Sequence, residues 1–100
     1  MASGTIPVPM QIGFIDDASN VSRTLTAGSN NYARVSQSWI PNLPSGAHLF
    51  KIELLYWSGN TGAFSIEPYY NSNQDQAYFF ANSGVTLSGA RFRWWYAITG

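Results

Sequence analysis

Few side chains in this sequence are of the types that move protons, attack carbonyls or hold metals, and they are widely spaced. His48 is the sole histidine. A histidine acting as general base needs an orienting carboxylate and a nucleophile within reach. The chain is rich in serine but contains no Gly-x-Ser-x-Gly elbow. His48 stands at the start of a strand pattern beside a Pro/Gly loop, which suits a surface or strand-edge position. Asp16 and Asp17 could share a calcium ion with Asn20 and nearby turn carbonyls, since calcium takes several oxygen ligands. Asp75, in the polar stretch 71–76, is a weaker version of the same idea. Adjacent carboxylates on an extended chain point apart, however, and in a turn they are commonly solvated. Glu53 and Glu67 have the residue type of a glycosidase acid pair, which needs two carboxyls flanking a cleft. Both fall on the polar sides of strands expected to be neighbours, with Lys51 close enough to neutralise one. The expectation is a chain with no catalytic residues, no metal and no cofactor.

The aromatic residues carry more signal, at 16% of the chain. Trp94 and Trp95 are adjacent in a strand pattern, so they face opposite sides of a sheet. Tyr69 and Tyr70 divide in the same way. With Trp94 in the core beside Phe92, Trp95 lies outside with Arg91 and Arg93. Trp57 likewise leaves the face formed by Phe50, Ile52 and Leu54. An outward ring lowers solubility unless something covers it. Three covers are possible. One is a subunit interface, where Trp, Tyr and Arg are enriched at hot spots. Another is a sugar ring stacked on Trp57, Tyr69 or Trp95, with Asn60, Asn71, Asn73 and Gln74 as hydrogen-bond partners. The third is a segment of the chain itself, such as the N-terminal one.

The elements that must position these residues follow from period-2 alternation. Ile6, Val8, Met10, Ile12 and Phe14 alternate with Pro7, Pro9, Gln11 and Gly13. The two prolines remove ladder donors on one side, which confines residues 5–15 to an edge strand or to an arm reaching a neighbouring subunit. On the arm reading, Ile6, Val8, Met10 and Ile12 would mediate attachment. A turn at 16–20 is followed by short strands over 21–27 and 32–40. The strongest strand spans 48–57, with Phe50, Ile52, Leu54 and Tyr56 on one face. It is expected to form a hairpin with 63–70 through the Gly-containing loop 58–62. The remaining expectations are a polar loop at 71–76, a short aromatic strand at 77–81, a brief extended piece at 85–87 broken by Ser88-Gly89, and a last strand over 90–99. Seven or eight strands at roughly 8–12-residue spacing indicate one all-β domain over residues 1–100, an antiparallel β-sandwich, jelly roll or small β-barrel.

Composition bounds the partners. Charged residues make up 10% of the chain, and five basic and five acidic side chains cancel to a formal net charge of zero. Nucleic acid demands a basic face, and Arg91 with Arg93 is too small a spot to supply one. No apolar run approaches the ~20 residues of a membrane-spanning helix. The first residues lack a basic region followed by an apolar run, so no signal peptide is expected. Without cysteine there is no disulfide framework or thiolate metal site. Dense packing and oligomerisation remain as sources of stability for so small a domain.

In its Asn/Ser/Gly-rich loops, sparse charge, dense aromatics, lack of cysteine and Ile6-Pro7-Val8-Pro9 start, the chain resembles small virion proteins of tailed bacteriophages, of the decoration, head-fibre and tail-fibre type. That resemblance implies a homo-oligomer, a trimer first, made in the host cytoplasm, located in the virion, and attached to other virion proteins through a terminal arm. It carries over no functional residues. Carbohydrate-binding modules have a similar look, and a lectin-like glycan-binding module or receptor-binding tip is the alternative function.

Overall fold

The computed structural model describes residues 10–98. Ile6 and Val8 of the expected attachment segment, with Pro7 and Pro9, lie outside the described residues, as does Thr99. The described chain is all-β. Its strands are β1 (Gln11–Asp16), β2 (Arg23–Thr26), β3 (Tyr32–Arg34), β4 (Ala47–Tyr56), β5 (Gly59–Asn60), β6 (Phe64–Asn71), β7 (Gln74–Ala81) and β8 (Thr86–Ile98). A single 3-10 turn spans Gln37–Trp39.

One strand organises the first sheet. β8 is 13 residues long and pairs antiparallel with β1 and β2 along one side and with β4 and β5 along the other. Its partners change near the middle. β1 reaches Arg93 and β2 takes over at Ala90, while β4 reaches Arg91 and β5 takes over at Ser88. At that change Gly89 adopts φ +63. Between Arg23 and Leu25 of β2 the register on β8 jumps from Ala90 to Leu87, so β8 carries one extra residue there. This is a glycine bulge, which bends a strand without ending it. The second sheet, β3-β7-β6, is also antiparallel.

The two sheets pack face to face as a sandwich. β8 contributes Leu87, Ala90, Phe92 and Trp94 to the core, β4 contributes Leu49 and Ile52, β2 contributes Leu25, and β7 faces them with Ala77 and Phe79. Phe92 and Trp94 meet edge to face at 5.6 Å, and Phe64 of β6 lies 5.5 Å from Phe79. Alternation thus sorts β8 as expected, with Phe92 and Trp94 inward and Arg91, Arg93 and Trp95 on the other face.

Several local expectations are corrected. β4 and β6 do not form a hairpin: β4 belongs to the first sheet and β6 pairs β7 in the second. The glycines of loop 58–62 serve a close approach instead. β5 lies against β8, and a Cβ on Gly59 would come within 2.8 Å of the Ser88 hydroxyl. The hairpin of the second sheet is β6–β7. Its two-residue turn, Ser72-Asn73, has both φ values positive, at 53 and 62, as a right-twisted tight hairpin requires. The polar loop expected over 71–76 therefore shrinks to two residues, and Lys51 and Glu67 sit on different sheets. The expected inward face of β4 is also broken. Leu49 opposes Tyr96 and Lys51 opposes Trp95, so Phe50 is an extra residue and turns outward. A second bulge between Leu54 and Tyr56 turns Tyr56 outward. The strand expected over 32–40 stops at Arg34 and gives way to the 3-10 turn. The break expected at Ser88-Gly89 is the bend within β8.

Gly89→Ala is expected to destabilise the fold by about 2 kcal/mol or more, because a left-handed φ disfavours any Cβ. The added atom would also fall 2.8 Å from Ser58 Cβ. Urea unfolding checks this, and a lower midpoint with an unchanged slope is the expected form.

Candidate functional site

Asp16, Asp17, Asp75 and Glu53, four of the five carboxylates considered for metal binding or catalysis, accept hydrogen bonds from donors of the protein. Asp16, at the end of β1, accepts from Arg93 Nε at 2.7 Å and Nη2 at 3.0 Å in a forked pair. That hydrogen-bonded guanidinium lowers the Asp16 pKa from its ordinary value of 3.8 and raises that of Arg93. Asp17 points the other way, as alternation requires. Its Oδ2 accepts from the Phe92 amide at 2.9 Å and its Oδ1 from the Trp94 indole at 2.9 Å, with Arg23 Nη1 at 3.5 Å. The Asp17 side chain is only 7% exposed. Arg23 also donates to the Trp39 carbonyl at 3.1 Å and lies 5.1 Å above the Trp39 ring. The two aspartates face N–H groups and guanidinium cations, an environment built to hold anions in place and unlike an oxygen cage for calcium.

His48 does meet a carboxylate, which sequence reasoning missed. Its Nδ1 lies 3.2 Å from Asp75 Oδ2, and the Leu49 amide donates to Asp75 Oδ1 at 2.9 Å. Tyr70 stands edge-on to the imidazole at 4.4 Å. Gln37 donates to the Asp75 carbonyl at 2.7 Å. Asp75 sits on β7 and His48 on β4, so this cluster clasps the two sheets at one corner. Pairing Tyr70 with Asp75 across the β6–β7 hairpin brings the ring and the carboxylate together. No sequence signal marks that juxtaposition, because it depends on a sheet-to-sheet contact. Glu53 and Glu67 lie on opposite outer faces of the sandwich, and Glu53 accepts from the Trp95 indole at 2.9 Å. They share no cleft.

Both outer faces carry aromatic clusters. On the first sheet, Trp95 lies between Phe14 of β1 at 5.0 Å and Phe50 of β4 at 6.4 Å. Arg93 stacks 4.0 Å over Phe14, and Arg91 lies 5.1 Å from the Tyr56 ring. Ile12, two residues before Phe14 on β1, shares its face and is exposed. These neighbours cover most of Trp95, while Phe14 and Phe50 themselves are each 46% exposed. Sequence reasoning placed Trp95 with Arg91 and Arg93 on this face and missed Phe50, which the bulge delivers.

On the second sheet, Tyr78 of β7 sits 5.8 Å from Tyr32, 5.7 Å from Tyr69 and 6.1 Å from Phe80. With Glu67 and Pro68 these rings line a shallow, almost wholly apolar depression of about 350 Å³. Gln76 beneath them is buried, accepting from the Tyr78 hydroxyl at 3.1 Å and donating to the Asn71 carbonyl at 3.4 Å. Tyr69 is therefore on the face opposite Trp95. Trp57, exposed in the connection from β4 to β5, belongs to neither cluster. The candidate residues thus fall in three places.

Replacing Asp17 by Ala strands the Phe92 amide and the Trp94 indole, at an expected cost of about 3 kcal/mol, read by urea unfolding with tryptophan fluorescence. Asp16→Asn behaves differently with pH. A depressed carboxyl pKa contributes stability above the unfolded-state value, and the contribution is lost as pH falls through the folded-state value. The variant is therefore less stable than the parent at neutral pH, and the two converge well below pH 3.8. Parallel denaturation curves at the two pH values check the sign.

Comparison of the chain with family models, with curated proteins and with solved structures finds no match.

Proposed function

We propose that this chain is a non-enzymatic structural protein that assembles with copies of itself and attaches to a larger particle, as capsid-decoration, head-fibre or tail-fibre components of tailed-phage virions do. The observation that carries this reading is the pair of aromatic surfaces on opposite sides of one small sandwich. A monomer in water leaves Phe14, Phe50, Tyr32, Tyr69 and Phe80 between two-fifths and just over one-half exposed. Covering each such ring on association contributes on the order of 1 kcal/mol. The guanidiniums of Arg91 and Arg93 flank one cluster, the composition favoured at the centre of interfaces. With five charges of each sign, the surface offers little repulsion between copies.

The competing reading is a glycan-binding module. It is favoured by the amides of Asn71, Asn73 and Gln74 at the β6–β7 turn, next to the half-exposed rings of Tyr69 and Tyr70. Two measurements separate the readings. Assembly makes the melting temperature rise with protein concentration, by mass action, over a roughly hundred-fold range. A concentration-independent melting temperature, together with glycan-array binding that Tyr69→Ala abolishes in a folded protein, supports the lectin instead.

A further inference from the structure

The depression on the outer face of β3-β7-β6 has a floor of rings and almost no polar lining. Tyr32, Tyr69, Tyr78 and Phe80 come from three adjacent strands and stand 5.7–6.1 Å apart around Tyr78. Parallel ridges of tyrosine and phenylalanine on a sheet form the kind of groove that holds proline-rich segments, because rings pack against pyrrolidine faces. The same chain carries such a segment. Thr5-Ile6-Pro7-Val8-Pro9-Met10 places two prolines one residue apart between aliphatic side chains. Proline fixes φ near −65° and lacks an N–H, so a Pro-x-Pro stretch loses little entropy when held extended. Residues 1–9 contain no charged side chain, which matches a groove whose sole carboxylate is Glu67 on its rim. They precede β1, which lies in the opposite sheet from the groove. At about 3.1 Å per residue, Ile6 reaches at most roughly 15 Å from Gln11, the first residue of β1, so the contact needs a neighbouring molecule that offers its groove beside that end of β1.

We infer that the Tyr32/Tyr69/Tyr78/Phe80 groove is the docking site for the Ile6–Pro9 segment of a second copy of this chain. The inference rests on the assembly reading and names the contact that drives it. The contact is head-to-tail, arm of one copy into groove of the next. Such a contact closes into a ring, a trimer included, when the rotation between copies permits.

The test uses the full chain and native mass measurement at micromolar concentration. One variant disables the arm (Ile6→Asp with Val8→Asp), and another disables the groove (Tyr69→Ser with Phe80→Ser, both half-exposed rings whose loss spares the core). Each alone is expected to fall to monomer while retaining its circular-dichroism spectrum. Mixed in equal amounts, the two should form a pair with one copy of each, joined by the one intact arm in the one intact groove. Pro7→Gly with Pro9→Gly should weaken assembly by about tenfold through the restored chain entropy. If the parent chain is oligomeric and the arm variant keeps that mass, the arm-in-groove contact is wrong while the assembly reading stands. If Tyr70→Ser, outside the groove, acts as Tyr69→Ser with Phe80→Ser does, the groove is not the seat of the contact. A monomeric parent chain, or variants that form no mixed pair, overturns the inference, and the monomeric parent overturns the assembly reading with it.

Discussion

The carboxylate of Asp17 holds the middle of β8, and the arrangement of every other strand in the first sheet depends on that grip. Asp17 pairs with Phe92 twice, its amide donating to the Phe92 carbonyl at 2.9 Å and its side chain accepting from the Phe92 amide. Phe92 is where β1 has ended and β2 has not yet begun, so without Asp17 its N–H would be buried and unpaired, a cost of 1–3 kcal/mol by general experience. The same carboxylate fixes the Trp94 indole, the largest fully buried side chain, and draws in Arg23 from β2. One acidic residue thus lets a single strand serve two partners in succession along one side. Gly89 supplies the bend that this change of partners requires.

Once β8 is clamped in this way, the division of its side chains follows. Phe92 and Trp94 are committed to the core, so Arg91, Arg93 and Trp95 must face out, and β1 and β4 bring Phe14 and Phe50 beside them. The Asp16–Arg93 fork sets the guanidinium over the Phe14 ring and not out in solvent. The second sheet behaves in the same way. Burial of Ala77 and Phe79 leaves Tyr78 and Phe80 outside, with Tyr32 and Tyr69 from the flanking strands. A sheet one residue thick cannot hide large rings on both faces. The outer clusters are therefore a direct consequence of the core pattern, and we propose that neighbouring copies of the chain cover them. This is the physical basis of the assembly proposal.

Alternation made the all-β class and the inside–outside division of β8 legible in the sequence, because a side-chain period of two survives whatever the partner strand is. Partner choice was not legible. The hairpin expected between 48–57 and 63–70 failed because glycines that permit a tight turn also permit the close approach of Gly59 to Ser88. Phe50 was misplaced because a bulge shifts alternation by one residue and leaves no mark in composition. Ser88-Gly89 read as a break, although an isolated glycine inside a strand pattern is also the signal for a bulge. The tight Ser72-Asn73 turn lacks the Asn-Gly pair that announces such hairpins. Asp17 and Asp75 acquire their roles from residues 75 and 26 positions away, which no local pattern encodes. Of the candidate surface residues, the Trp95 face could be anticipated from Trp94-Trp95 alone. The tyrosine groove needed the register of three strands.

Native-state hydrogen exchange tests the clamp on β8 most directly, through the Phe92 amide and the Trp94 indole N–H. Both should exchange only by global unfolding, with opening free energies equal to that from denaturant, while amides of the short strand β3 open more readily. Exchange of Phe92 and Trp94 through local opening, well below the global free energy, would contradict the claim that Asp17 fixes the centre of the fold.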